Sequence, residues 1–133
     1  MIAYDTNILI YAFEGTSSWS KAAQAIVQKG EHEGAVLSVL AWQELMTGLV
    51  LQSSDLDKQL LNILKDFSAT KFAPVTLAIC EKAVLLTKQY GKKLYGYDAI
   101  HIATAIEYKA SSFVTNDKTL TDLKIKELPI DTL

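Results

Sequence analysis

Arginine is absent from this chain; all thirteen of its basic residues are lysines. Bidentate recognition of phosphate or guanine by a guanidinium is therefore excluded, and any phosphate contact must come from lysine, backbone N–H groups or bound metal. Cysteine is nearly absent. Cys80 stands alone, which rules out an intrachain disulfide and a thiolate metal set. Its apolar surroundings (Leu77, Ile79, Ala83, Val84) predict a buried structural thiol rather than a nucleophile. No apolar run reaches the roughly 18 residues of a membrane span. The basic start and cleavage site of a signal peptide are also missing, so a soluble cytoplasmic protein without membrane contact is expected.

What is present is a chain for one domain. The 133 residues, 50% hydrophobic and 21% charged, suffice for a single core spanning 1–133 and argue against disorder. The pattern predicts buried strands at 1–5, 35–39 (AVLSV), 72–75 (FAPV) and 112–115 (SFVT). An edge strand is expected at 128–133, where Pro129 is tolerated. Residues 8–13 (ILIYAF) read as strand or helix. Helices are expected over about 19–29, with Thr16, Ser17 or Ser18 as cap and Gly30 as stop. Others follow over about 41–51, 55–68, 76–91 and 97–109, and a short one over 117–123. In the helix at 97–109, Ala99, Ile102, Ala103 and Ile106 form the buried stripe. Strands alternating with helices imply an α/β fold with a central parallel sheet of about four to five strands, flanked by helices.

Four acids sit beside or within apolar stretches: Asp5 in IAYDTNILIYA, Glu44 in VLAWQELMTGL, Asp98 in YGYDAIHIATA and Asp117 in FVTNDKTL. Open α/β sheets place their sites beyond the carboxyl ends of their strands. Asp5, Glu44 and Asp117 each follow a strand, and Asp98 opens a helix, so all four could meet at one edge. Two carboxylates about 5 Å apart repel by about 3 kcal/mol at an effective dielectric near 20. Without arginine, a hard divalent cation is the natural counterion, and oxygen-only ligands favour Mg²⁺ or Mn²⁺. Such a site can polarise a phosphodiester and activate water. The net charge of −2 does not exclude RNA, because four acids confined to one site leave +2 elsewhere.

Taken singly, each acid has a plainer use. Asp5, Asp98 and Asp117 could cap or support helix starts, and Glu44 could be solvated. His101 reads as a satisfied structural histidine, with contact to substrate or tuning of a carboxylate as the alternative. His32 reads as exposed loop. Trp42, Tyr95 and Tyr97 read as packing or dimer-interface residues before base-stacking ones, and Lys92 and Lys93 as solvated loop or phosphate contacts.

In this order and spacing, the Asp of DTNILIY, the Glu of AWQEL, the Asp of YDAIHIATA and the Asp of VTND resemble the PIN-domain family of metal-dependent ribonucleases. The likeness is strongest to the compact VapC-type toxins of toxin–antitoxin pairs, and it runs from residue 1 to about 120. The resemblance implies a catalytic, Mg²⁺-binding quartet of Asp5, Glu44, Asp98 and Asp117, with Asp5 and Asp98 as direct ligands. It also implies that Thr6 and Asn7 orient Asp5, and that Thr115 and Asn116 lead into the fourth acid. RNA cleavage, a homodimer and a cognate antitoxin are further implications. Two other classes remain open: a PIN-like RNA- or protein-binding module with vestigial activity, and another acid-site phosphotransfer or phosphatase domain. A haloacid-dehalogenase-like phosphatase usually carries a second Asp two residues after the first; here that position is Asn7.

Overall fold

The computed structural model describes residues 1–52, 58, 62 and 67–133. Strand burial shows at once which strands are central. β1 (Ala3–Tyr4), β2 (Ala35–Ser38) and β4 (Phe113–Thr115) are buried along their whole length, whereas β3 (Thr70–Ala73) is only partly covered and β5 (Ile130–Thr132) is mostly open to solvent. Strands covered on both faces read as continuous apolar runs; the open ones carry Lys71 and Asp131. All pairings are parallel: Ala3 against Phe113, Phe113 against Ile130, and Ala35 against Thr70. The bridge between Ile2 and Ala35 joins the two-stranded and three-stranded portions, through Ile2 N–H to Gly34 O (3.0 Å) and Val36 N–H to Ile2 O (2.9 Å). The strand order is therefore β3-β2-β1-β4-β5.

Alternation along the strands divides the core. Ala3, Val36 and Phe113 point to one side, packed with Ile79, Leu86, Ile102 and Leu120. Tyr4, Leu37 and Val114 point to the other, packed with Ile8, Leu9, Leu45 and Phe67. Among the described residues, the helices on the second side are α1 (Thr6–Glu14), α2 (Ser20–Glu33) and α3 (Val39–Gln52); those on the first are α4 (Leu77–Tyr90), α5 (Gly96–Glu107) and α6 (Lys118–Thr121). No described helix is long and apolar enough to cross a membrane.

Several boundaries differ from the sequence expectation for local reasons. ILIYAF is helical, because the Asp5 carboxylate caps α1 by accepting from Asn7 N–H. Gly30 does not stop α2. It lies buried inside the helix, where a Cβ would stand 3.0 Å from Ala35 Cβ and 3.4 Å from the Tyr4 ring. The chain instead leaves α2 at Gly34, whose φ of 86° suits glycine. Trp19 occupies the cap position of α2, and Ser17 acts two residues earlier, its hydroxyl accepting from Trp19 N–H at 3.1 Å. β3 starts at Thr70 and ends at Ala73, because Pro74 has no N–H for the ladder. α5 is buried more broadly than its expected stripe, with His101, Thr104 and Ala105 added, while Ile106 is only partly covered. Cys80 is unpaired but partly exposed rather than buried, and His32 is exposed in the last turn of α2 rather than in a loop. The helix expected over 55–68 falls largely outside the described residues.

Candidate metal centre

The strand order reverses between β1 and β4. In open α/β sheets a crevice forms at such a point, outside the carboxyl ends of the strands. Asp5 is the first residue past β1, and its N–H extends the ladder to Val114 O at 3.0 Å. Thr115 ends β4, and Asp117 follows two residues later. Parallel pairing brings both acids to the same end of the sheet.

A short hydrogen-bond lattice ties them together. Asp5 is buried, and each of its oxygens has a donor: Asn7 N–H to Oδ1 at 3.1 Å and the Thr115 hydroxyl to Oδ2 at 2.8 Å. The same Thr115 oxygen accepts from Asp117 N–H at 3.0 Å. One buried hydroxyl thus fixes the first acid against the backbone of the fourth. Asp117 also caps α6, accepting from Thr119 N–H at 2.9 Å. Asn116 turns away, donating through Nδ2 to the Tyr11 hydroxyl at 3.2 Å. The expected role of Thr6 needs correction. Its hydroxyl faces Glu44 Oε1 at 3.3 Å, not Asp5, because the first turn of α1 points it toward α3. Asn7 does orient Asp5, but through its backbone N–H.

Glu44 Oε1 takes a second donor, His101 Nε2 at 3.1 Å. That hydrogen bond holds the Glu44 carboxyl below its ordinary value; partial burial opposes it, and the charge of His101 and the Thr6 hydroxyl add to it. His101 is therefore satisfied, as expected of a buried histidine, but its partner is one of the four acids.

Asp98 lies in the first turn of α5, where Gly96 adopts a φ of 60° at the helix entry. Its carboxyl is pushed above the ordinary value, first by burial of one side, then by the charge of Asp5, with Asp117 and Glu44 adding and His101 opposing. Asp98 thus feels the charge of each of the other three acids. Among the described residues no three of the four acids stand close enough to form a ready-made metal cage. The donor set nonetheless fits a hard cation. It consists of carboxylate oxygens, the nearby imidazole turns Nε2 to Glu44, and Mg²⁺ needs only one or two carboxylates when water fills its remaining positions.

Around the site, Tyr95 and Tyr97 are 63% and 58% exposed, so packing within this chain does not account for them. Lys92 and Lys93 are exposed in a 3₁₀ turn, Gly91–Lys93. Trp42 is half-buried against the second core.

The model of the PIN domain family matches residues 2–126. The chain belongs to the PIN-domain family. Solved structures agree on the PIN fold. A toxin–antitoxin complex from Klebsiella pneumoniae is 23% identical, with a TM-score of 0.72 over 98% of this chain and 100% of that one. VapBC2 from Rickettsia felis, bound to a DNA fragment from its promoter, is 19% identical, with a TM-score of 0.73 over 100% and 99%. DNA-bound VapBC from Salmonella typhimurium is 15% identical, with a TM-score of 0.72 over 99% and 98%. No curated protein sequence matches the chain. Within the PIN domain, the signal that pointed to His101 was its position three residues after Asp98 on α5; nothing local pointed to the bond from Thr6 to Glu44.

Proposed function

We propose that this PIN domain is a Mg²⁺-dependent endoribonuclease and the toxin of a toxin–antitoxin pair. The observation that carries the proposal is the Thr115 hydroxyl at the end of β4, which donates to Asp5 and accepts from Asp117 N–H, so that two acids of a PIN domain are tied together at the carboxyl ends of paired strands. Four acids disposed around the switch point of a parallel sheet, in a chain without arginine, suit a site that takes positive charge from outside the chain.

Asp5 and Asp98 would hold Mg²⁺ (Mn²⁺ being the alternative), with Glu44 and Asp117 acting through water or on a second ion. The chemistry such a cation supplies is polarisation of a phosphodiester and activation of water for in-line attack. The chain's own groups prepare for it. Thr115 and the Asn7 N–H hold both oxygens of Asp5, so its ligand geometry is set before substrate arrives. Thr6 and His101 hold Glu44. Burial and the neighbouring acids raise the Asp98 carboxyl above its ordinary value, and a cation held there would compete with its proton.

The toxin assignment is supported by the neighbours, which are toxin–antitoxin and VapBC complexes. A cognate antitoxin that blocks the acidic site, a homodimer and a cytoplasmic location complete the proposal. Purified protein incubated with RNA and Mg²⁺ should yield discrete cleaved ends, and Asp98→Asn should abolish them without loss of fold. A folded, clean Asp98→Asn preparation that still cleaves would refute the assignment.

A further inference from the structure

His101 Nε2 and the Thr6 hydroxyl both approach the same oxygen of Glu44, Oε1. Among the described residues, Oε2 receives neither of these donors. The two ends of this contact are unequal. The His101 side chain is 8% exposed and the Glu44 side chain 39%. The ring is thus held by the core around α5, while the carboxylate stands on α3 at the end of a flexible stem. A carboxylate accepts only, so Nε2 carries the proton of this bond. The bond crosses 57 residues of sequence and joins the helix that bears Asp98 to the helix that bears Glu44.

We infer that His101 is a positioning residue: it clamps Oε1 of Glu44 and thereby presents Oε2 toward the cation site. His101 has this role only if the acids hold a divalent cation, so it rests on the function proposed above. The histidine touches neither metal nor substrate. It selects one rotamer of Glu44 and sets the separation of the Glu44 and Asp98 helices. Partners that orient a ligand typically change metal affinity by about 10–100-fold when removed.

The test is Mn²⁺ binding to the full chain, followed by the spin-resonance signal of free Mn²⁺, with melting of the metal-free protein recorded beside it. His101→Leu should weaken Mn²⁺ binding by about 10–100-fold. His101→Gln, whose amide N–H reaches about as far as Nε2, should stay within about threefold of the parent. In a Glu44→Gln background, His101→Leu should cost nothing further, because the histidine acts through that carboxylate. Wild-type affinity in a folded His101→Leu protein overturns the role, and so does an equal loss in both backgrounds. Where the leucine variant does not fold, His101→Asn replaces it; asparagine is too short to reach Glu44, and equal affinities for the Asn and Gln variants overturn the role. Binding that Asp98→Asn abolishes and His101→Leu leaves intact refutes the histidine alone. A parent protein that binds no Mn²⁺ refutes both the histidine and the site it serves.

Discussion

Replacing Thr115 by valine keeps the shape of a fully buried side chain and removes its hydroxyl. Two hydrogen bonds disappear with it. One is the 2.8 Å bond to Asp5 Oδ2, inside the protein and to a charged acceptor; the other is the 3.0 Å bond from Asp117 N–H. Loss of a bond to a charged group costs about 1.5–3 kcal/mol, and loss of a neutral one about 1 kcal/mol. The sum is about 2.5–4 kcal/mol. For a chain of this size each kcal/mol moves Tm by roughly 3–5 °C, so the metal-free variant should melt about 8–20 °C lower. Metal affinity should fall as well, because Asp5 loses the donor that fixes one of its oxygens. A loss of about 30-fold would reduce the stabilisation by saturating Mg²⁺ by about 2 kcal/mol. Calorimetric melts with and without Mg²⁺ separate the two effects, and Thr115→Ser, which keeps the hydroxyl, is the control. Should Thr115→Val melt within about 2 °C of the parent and gain as much from Mg²⁺, the coupling of the first and fourth acids through this hydroxyl is wrong.

Other consequences concern pH and packing. The raised Asp98 carboxyl means that the folded state binds this proton more tightly than the unfolded state, so Asp98 lowers stability as pH rises through its folded value. Metal-free Asp98→Asn should therefore melt above the parent at pH 7, and the difference should close as the pH falls below the ordinary carboxylate range; a constant difference between pH 3 and pH 7 would contradict this. Glu44 is shifted the other way, so its stabilisation is complete above the unfolded value of 4.5 and is lost as pH falls through the lower folded value. Glu44→Gln should consequently reduce the stability of the parent most at neutral pH and least in strong acid, by denaturant titration. Gly30→Ala gains about 1 kcal/mol of helix propensity but drives a methyl to 3.0 Å from Ala35 Cβ on a buried strand. Overpacking of about 1–3 kcal/mol should win, and a melting temperature above the parent would show that α2 can retreat.

Element type was largely legible because its causes are local. The buried strands read as short apolar runs, and the helices as their own periodicity with Thr76 capping α4 through Ile79 N–H. Where local signals competed, the tertiary context decided. Gly30 looked like a stop, yet it is the point where α2 passes over β2 and the Tyr4 ring. Thr6 looked like the servant of Asp5, its neighbour in sequence, yet the helical turn that Asp5 itself caps sends that hydroxyl to Glu44, 38 residues away. Cys80 sits in an apolar pattern that suggested burial, but it falls toward the partly open side of α4.

The chain alone determined that four acids lie next to apolar segments, in the order and spacing of the PIN family, and that no arginine could neutralise them. Those are properties of residue types and distances along the chain, and the strand ends placed three of the acids at connections. Only the tertiary structure decided which donor serves which carboxylate. Thr115 reaches Asp5 across 110 residues and His101 reaches Glu44 across 57. Both contacts exist because parallel pairing of β1 with β4, and the meeting of Glu44 and His101 from helices on opposite faces of the sheet, set those groups side by side. A hydrogen bond is satisfied within about 3 Å of space, and no pattern along a single sequence measures that distance.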